Sequence, residues 1–454
     1  MTPPLLRYRR TTRACGLVAA VVLVSALLYS GTRAVEERSM SLYTEAQQLH
    51  TRRFLDEFVQ SMPGLRNIWA GDDFCAWEAV TCLRYGVSIS ATNWIRLAAF
   101  PGRLPEVSSV DVDMSQVVVT SITMRANGPN LSGTLPVSWG LLRNLGKVHL
   151  DRNSLTGSLP PEWSDLDGLV ELYLGNNSLT GSLPGSWGKS MKSLSFLFLD
   201  RNALTGTLPP EWGRMRLIRS LILEKNRLNG TLPVEWQHMQ AALTLSVGMN
   251  DLSGTLPHEW ARMSVMGWMD LNSNHLTGTL PAVWASMTFL TNLQLFSNKL
   301  TGTLPAEWRR LTLLEELRVG ENRIVGTMPA SWSAMTSLTE LRLGRNNLLG
   351  VLPTAWGAMA LMQVLDVSGN SLSGTLPVSW GSMRHLDTLS VRDNKLGGPL
   401  PVAWRTLPAI QHLHLEGNRL CGCLPINWAS PGVDITVDEA VMRTNCATAN
   451  ACAG

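Results

Sequence analysis

Motifs of catalysis are missing from this sequence. Its 454 residues contain no phosphate-binding loop ending in Lys-Ser or Lys-Thr, no nucleophile motif and no constellation of paired carboxylates. Basic residues are not in excess either: residues 1–34 hold five of the 38 and no acid, which leaves 33 basic against 35 acidic residues. The chain therefore lacks a basic stripe for nucleic acid or an anionic membrane surface, and we expect neither enzymatic activity nor a cofactor.

Long apolar runs are scarce as well. The run Leu17 to Tyr29 has 13 residues, short of the ~20 that span a bilayer as a helix. Four arginines precede it, and Thr32 and Ala34 fit the small-residue positions of a signal-peptidase site. We expect residues 1–34 to be a signal peptide, or a signal anchor if residues 16–31 stay in the membrane. Either form directs the rest of the chain to the cell surface or the exterior.

Cysteine is absent from the middle of the chain. Of the seven cysteines, Cys15 lies in the targeting segment and the other six form two groups near the ends. This placement favours an oxidising compartment and two terminal caps over a zinc site. The four C-terminal cysteines allow three pairings, and the sequence does not choose among them. The expected disulfide cysteines are Cys75, Cys82, Cys421, Cys423, Cys446 and Cys452.

Tryptophan, in contrast, is abundant and regularly spaced. Each Trp of the series closes a Leu-Pro-x-x-Trp phrase, and successive members are 24 residues apart except for one step of 25. A period of this length is typical of a solenoid, in which each repeat stacks on its neighbours. The series is Trp139, Trp163, Trp187, Trp212, Trp236, Trp260, Trp284, Trp308, Trp332, Trp356, Trp380, Trp404 and Trp428.

One repeat, LQLFSNKLTGTLPAEW from Leu293 to Trp308, represents the others. Leu293 and Leu295 alternate with Gln294, as in a short strand with one buried face. Asn298 recurs in each repeat, and its amide can satisfy backbone groups between neighbouring coils. We expect the Asn series to be structural and the Trp series to pack in the core, although an exposed Trp could instead bind a sugar.

The repeat phrase L-x-x-L-x-L-x-x-N-x-L-T-G-x-L-P-x-x-W resembles the plant-type leucine-rich repeat. Within that class, the Trp after Pro, the frequent Met and the C-terminal Cys-Gly-Cys-Leu-Pro-x-x-Trp resemble the promastigote surface antigens of Leishmania and related kinetoplastids. The resemblance implies an α/β-type leucine-rich-repeat solenoid, a horseshoe or superhelix. It would have a concave parallel β-sheet, a 3-10 or irregular convex side and disulfide-bonded N- and C-terminal caps, with Cys75 paired to Cys82. Members of this group often carry a glycolipid anchor, whereas this chain shows no hydrophobic C-terminal tail, so we expect no such anchor.

These signals divide the chain into five parts. Apolar residues at helical spacing predict a capping helix over residues 41–61. The expected parts are 1–34, a signal peptide or anchor; 35–82, a helical N-terminal cap; 83–130, irregular or decayed repeats; 131–420, regular 24-residue repeats; and 421–454, a cysteine-containing C-terminal cap.

Apolar side chains stand out among the residues expected on the concave face. Residues beside the buried leucines of each strand should point there, where exposed aromatics are unexpected in a soluble protein. We expect an exposed apolar patch that binds a protein or glycan partner; self-association or a glycan-shielded scaffold is the alternative. The apolar ligand-binding candidates are Tyr173, Phe196, Phe198, Ile222, Trp268 and Phe296.

A charged block follows on two neighbouring strands. Glu316 and Glu340 should lie side by side, as should Arg318 and Arg342, so that diagonal Glu–Arg pairs offset the repulsion between like charges. Such a cluster is usually a solvated face with little effect on stability. We nevertheless include these four residues among the ligand-binding candidates.

The last concave strand carries His412, His414 and Glu416 on one face. Their spacing could hold a metal ion. A salt contact between Glu416 and Arg392, one coil earlier, is the more ordinary interpretation, and we predict no metal site.

The sequence thus predicts a cell-surface or secreted recognition protein, a surface antigen that binds protein or glycan partners, including host molecules. Nucleic acid is excluded, and membrane contact would occur only through an uncleaved N-terminal segment. Two alternatives stay open: a passive structural coat antigen without a dedicated ligand, and an inhibitor of a secreted hydrolase. The Asn-x-Ser/Thr sequons predict glycosylation at Asn130, Asn176 and Asn229.

Overall fold

The computed structural model describes residues 39–90, 102–108, 110–125, 131–423, 433–438 and 441–442. The expected targeting segment, Asn130, Trp428, Cys446 and Cys452 lie outside these ranges, as does the side chain of Cys423.

A capping helix, Glu45–Ser61, covers the N-terminal end of the solenoid. Thr44 begins it with a capping box, because its hydroxyl accepts from Gln47 N (3.3 Å) while the Gln47 side chain accepts from Thr44 N (3.0 Å). The helix expected from residue 41 therefore starts at Glu45. Phe54 and Phe58 on its buried face lie with ring centroids 6.4 and 5.9 Å from Trp139, the first tryptophan of the series.

Disulfides occur in both terminal regions. The Cys75–Cys82 pair implied by the leucine-rich-repeat resemblance is present. Cys421 is also disulfide-bonded. Each bond fixes an end coil, which would otherwise expose its core face.

The concave side is one sheet of sixteen strands among the described residues. Its first two strands pair antiparallel and the others pair parallel, with residue n beside residue n + 24 in most repeats, as Thr244 lies beside Trp268. The strands are Val80–Leu83, Gly86–Ser90, Val119–Thr123, Lys147–His149, Glu171–Tyr173, Phe196–Phe198, Ser220–Ile222, Thr244–Ser246, Trp268–Asp270, Asn292–Gln294, Glu316–Arg318, Glu340–Arg342, Val364–Asp366, Thr388–Ser390, His412–His414 and Asp434–Thr436.

Two smaller parallel sheets lie along the second extended segment of the repeats. One contains Gly102–Arg103, Leu131–Thr134 and Ser154–Thr156. The other contains Val325–Gly326, Asn347–Val351, Ser371–Gly374, Lys395–Pro399, Arg419–Cys423 and Val441–Met442. Gly302 shows why a glycine recurs within this segment: its φ is +76°, and a Cβ there would lie 2.6 Å from Thr279 Cγ2.

Short helices form the convex side, and each begins after the proline of its repeat. The repeat tryptophans from Trp139 to Trp404 are fully buried, and each indole N–H reaches back one coil, as Trp308 Nε1 donates to Pro281 O at 3.0 Å. The helices are Val137–Leu141, Pro161–Asp165, Trp187–Ser190 (α-helical), Pro210–Arg214, Val234–His238, His258–Arg262, Ala282–Ser286, Ala306–Arg310, Ala330–Ala334, Thr354–Ala358, Val378–Ser382 and Val402–Thr406, with Met40–Leu42, Pro63–Asn67, Phe74–Ala76 and Met114–Gln116 earlier in the chain.

The asparagine series joins successive coils. Asn298 Nδ2 donates to Leu271 O (3.0 Å) and Leu295 O (3.1 Å), and its Oδ1 accepts from Leu276 N (3.0 Å). Equivalent bonds recur along the series, so each amide satisfies buried backbone groups of its own coil and of the preceding one. The leucine-rich-repeat solenoid predicted from the sequence is confirmed.

Candidate ligand-binding surface

The first and third residues of each three-residue strand form the concave face. The middle residues, such as Leu197 and Leu221, are buried in the core, so their neighbours along the strand point to the opposite face of the sheet. Because the strands pair in register, Tyr173 lies beside Phe198, and Phe198 lies beside Ile222. Concave side chains are therefore arranged in rows that cross the coils.

One such row is an aromatic ladder, which consists of His149, Tyr173 and Phe198. The ring of Tyr173 stacks with its centroid 4.1 Å from that of His149 and 4.4 Å from that of Phe198, in nearly parallel planes. The Arg125 guanidinium lies 5.3 Å from the centre of the Tyr173 ring. Ile222 continues the row on the next strand and extends its apolar edge.

The expectation that Tyr173 and Phe196 are exposed is wrong. Tyr173 is 6% and Phe196 8% exposed, yet neither belongs to the core formed by the leucines and tryptophans. Parallel strands lie about 4.8 Å apart, so large side chains on adjacent coils cover one another. Of the apolar ligand-binding candidates, Phe198, Ile222, Trp268 and Phe296 keep intermediate exposure.

Small polar side chains separate Trp268 from the aromatic ladder. The strand between Ile222 and Trp268 places Thr244 and Ser246 on the concave face, and both are buried. Thr244 lies beside Ser220 and Trp268, and Ser246 lies beside Ile222 and Asp270, so small polar side chains form a polar trough between Ile222 and Trp268. The apolar surface is therefore two patches with a polar strip between them, and not the single contiguous patch expected from the sequence.

Glu171 anchors the base of the aromatic ladder. Its carboxylate lies 2.8 Å from His149 Nε2 and 2.9 Å from Lys147 Nζ. Burial by itself would raise the pKa of Glu171, but these hydrogen bonds and positive charges outweigh it and lower the pKa to about 2. Glu171 is thus a fixed negative charge that holds the His149 ring in the stack.

Two further carboxyl groups on the concave face have a raised pKa, in contrast to that of Glu171. Burial raises the pKa of Asp200 and of Asp270 to about 6, and the nearby carboxylate of Glu224 adds to the effect in both. Asp270 accepts a hydrogen bond from Asn272 N at 3.0 Å, which opposes the shift. The surface around Phe198, Ile222 and Trp268 therefore becomes more negative as the pH rises through about 6.

The charged block forms as predicted across two adjacent strands. Arg318 Nε lies 2.7 Å from Glu340 Oε1, an ion-pair contact without the alignment of a hydrogen bond. Glu340 also pairs with Arg342, while Glu316 lies 3.7 Å from Arg318. The Glu340 side chain is largely buried by these partners, whereas the side chains of Glu316, Arg318 and Arg342 are 27%, 30% and 36% exposed. Its neutralised charges make it a weaker ligand site than the apolar patches.

The C-terminal histidines have a partner that sequence reasoning missed. Glu416 pairs with Arg392 at 3.8 Å, the ordinary contact expected for it. The carboxylate beside the two histidines is instead that of Asp434, 3.5 Å from His412 Nδ1. Asp434 lies beyond the last regular repeat, where no repeat phrase predicts its position.

His149 is a second missed residue, since at the N-terminal end of its row only the apolar residues were chosen as candidates. Its position in the strand series was the available signal. Of the predicted glycosylation sites, Asn176 and Asn229 are both exposed. No helix among the described residues is long and apolar enough to cross a membrane.

Comparisons with known proteins agree with this architecture. A family model for the leucine-rich repeat matches residues 143–204, 312–372 and 362–420. The surface membrane glycoprotein GP46/M-2 of Leishmania amazonensis is 36% identical over 137 residues, which are 30% of this chain and 27% of that protein. The resemblance to a kinetoplastid surface protein is thus confirmed, although the chain matches only about a quarter of that relative's length.

Solved receptor structures share the fold. A TDR receptor aligns with a TM-score of 0.66 and 26% identity over 72% of this chain and 61% of the receptor. The Arabidopsis receptor kinase HAESA, solved with the peptide hormone IDA and the co-receptor SERK1, aligns with a TM-score of 0.67 and 27% identity. That alignment covers 71% of this chain and 54% of HAESA. The fold is therefore similar to that of ectodomains that bind ligands.

Proposed function

We propose that this leucine-rich-repeat chain is an extracellular recognition protein that binds protein ligands through its concave face and catalyses no reaction. The ligand would place an apolar side chain against the edge of Phe198 and Ile222. Basic groups of the ligand would then face Asp200 and Glu224, which follow these two residues on the same coils.

The aromatic ladder carries this proposal. Three stacked rings, the first held by Glu171, form a rigid aromatic row outside the core, and rigid aromatic anchors supply much of the energy at protein interfaces. The trough beside it offers hydroxyl groups for hydrogen bonds, and Trp268 forms a second apolar wall. A passive coat would not require such an arrangement of polar and apolar strips.

Several features support an extracellular location. The Leishmania relative is named as a surface membrane glycoprotein, and the structural neighbours are receptors, one of them solved with a peptide hormone. The Cys75–Cys82 disulfide suits an oxidising compartment. The N-terminal segment has the pattern of a secretory signal, and two exposed sequons are available for glycosylation.

The test is capture of extracellular proteins and secreted peptides by the immobilised full chain, measured by biolayer interferometry. The binding variant combines Phe198→Ser, Ile222→Ser and Trp268→Ser and leaves the buried Phe196 and Tyr173 intact. If each of the three anchors contributes about 1 kcal/mol or more, affinity for the captured partner falls by about 100-fold or more.

The matched control is Phe289→Ser combined with Leu313→Ser, which removes exposed apolar side chains away from the concave positions. Circular dichroism must show that both variants keep the fold. Equal loss in the control, full binding by the concave variant, or no capture by the wild type would each contradict the proposal.

A further inference from the structure

Three side chains of metal-ligating type meet at the C-terminal end of the concave sheet. His412 and His414 alternate on one strand and therefore share a face. The next strand, Asp434–Thr436, pairs with it in parallel and places Asp434 directly beside His412. One nitrogen of each imidazole and one oxygen of the Asp434 carboxylate all lie within 4.8 Å of one another.

We propose that His412, His414 and Asp434 bind a divalent transition-metal ion of the Zn²⁺ class. Two imidazole nitrogens and one carboxylate oxygen are a donor set that Zn²⁺ prefers, and they leave a fourth position for water or another ligand. Donor atoms around tetrahedral zinc lie about 3.4 Å apart, so the three side chains must close slightly. The side chains of His412 and Asp434 are 48% and 60% exposed, which leaves them free to rotate inward.

A hydrogen-bonded chain behind His414 prepares it as a ligand. The Thr436 hydroxyl donates to the Glu416 carboxylate. Its oxygen must then accept from His414 Nδ1, 3.0 Å away. This arrangement keeps the proton on Nδ1 and leaves the Nε2 lone pair for a metal, as outer partners of ligating histidines commonly do.

The position of the site indicates what a bound ion would do. Asp434–Thr436 is the last strand of the sixteen-stranded sheet, and it pairs with the preceding coil along one side. An ion bridging Asp434 to His412 and His414 would fasten this edge strand to that coil. Metal binding would thereby stabilise the end of the array, where the last coil of a solenoid would otherwise expose its core face.

The test is titration of the metal-free full chain with ZnCl₂ by isothermal calorimetry, with Co²⁺ absorption to report the coordination geometry. We expect one saturable equivalent per chain. His412→Gln or Asp434→Asn should weaken binding by more than about 10-fold, and Thr436→Val, which alters only the outer shell, by about 10–100-fold. Bound Zn²⁺ should also slow proteolysis of the C-terminal region.

A second histidine–aspartate pair provides the matched control. His275 lies 3.9 Å from Asp251 and is not part of the three-residue cluster, so His275→Gln should leave Zn²⁺ affinity unchanged. Absence of a saturable equivalent in the wild type would overturn the proposal. So would an equivalent that persists at full affinity in a folded His412→Gln, His414→Gln double variant.

Discussion

The exposure and the pKa of a concave side chain in this protein depend on its neighbours one coil before and one coil after. Tyr173 is buried because His149 and Phe198 stack on its two faces. Asp270 has a raised pKa because burial removes its water, while the same residue type on an open strand would ionise freely. At the scale of single residues, the row across the coils therefore determines both exposure and charge.

Asp270→Asn tests this effect through its pH dependence. A folded-state pKa of about 6, against an ordinary value of 3.8, means that the fold favours the protonated carboxyl. This contribution to stability is fully present below pH 3.8 and is lost as the pH rises through about 6. Asparagine keeps the acceptor for Asn272 N but cannot ionise. Near pH 8, the free energy of unfolding of the variant should therefore exceed that of the wild type by about 2–3 kcal/mol. Thermal melts should show no difference near pH 3.5.

Asp366→Asn serves as the control for that measurement. Asp366 occupies the same position four coils later and accepts from Ser368 N at 2.9 Å, but it is more exposed. We expect a clearly smaller change in its melting midpoint. A gain at Asp270 that is independent of pH would contradict the account of its carboxyl group.

At the scale of single residues, the sequence predicted which face of the sheet a side chain occupies better than it predicted how exposed that side chain is. The alternation around the buried leucines placed Tyr173, Phe198 and Trp268 on the concave face, as the structure has them. It did not predict that Tyr173 is covered, because stacking depends on the side-chain conformations of three separate repeats. Periodicity assigns a face to a residue but does not show how far the neighbouring rings overlap.

The coil is the next scale, and its integrity depends on the asparagine at its turn. Asn322 Nδ2 donates to Leu295 O and Val319 O, each at 3.0 Å, and Oδ1 accepts from Leu300 N at 2.9 Å. The partners belong to two coils, so one side chain joins adjacent elements. The indole N–H of each tryptophan makes a comparable link on the convex side, as Trp308 does to Pro281.

Asn322→Ala should therefore destabilise the array locally and strongly. Several buried backbone groups lose their partner at once, and each unsatisfied group costs about 1–3 kcal/mol, so we expect a loss of about 3 kcal/mol or more. Hydrogen exchange should show faster exchange in the coils that contain Leu295 and Val319, because repeat arrays open between neighbours.

Asn347→Ala is the comparison, since Asn347 is exposed in the following coil. The free energy of unfolding of the Asn347→Ala variant should differ from that of the wild type by less than about 0.5 kcal/mol. If the two alanine variants exchange and melt alike, the asparagine series is not the link between coils.

The elements themselves were largely predictable because each repeat restates the same signals. Leu-x-Leu alternation, Asn, Gly and Pro-x-x-Trp mark the strand, the turn and the convex helix in every coil. Asp434 was not predictable, because the Leu-x-Leu alternation and the regularly spaced Asn are missing after Trp428, the last tryptophan of the series. The repeat pattern ends before the residues that complete the histidine cluster.

At the scale of the whole molecule, this protein is a capped array with a continuous concave surface. The capping helix and the Cys75–Cys82 disulfide cover one end, and strand Asp434–Thr436 completes the sheet at the other. Stability is then distributed over nearest-neighbour contacts, and no coil is required to form a pocket. Such a scaffold leaves the concave rows free to vary, which suits recognition of a protein surface.

Site-specific photo-crosslinking tests the central claim most directly. A photoreactive phenylalanine analogue would replace Ile222 on the concave face in one sample and Leu313 on the outer surface in another. Both full-length variants would be irradiated with the same mixture of extracellular proteins, and adducts would be identified by mass spectrometry. The account predicts a discrete protein adduct at position 222 and none at 313. An adduct confined to position 313, or no adduct at either position, would contradict recognition through the concave face.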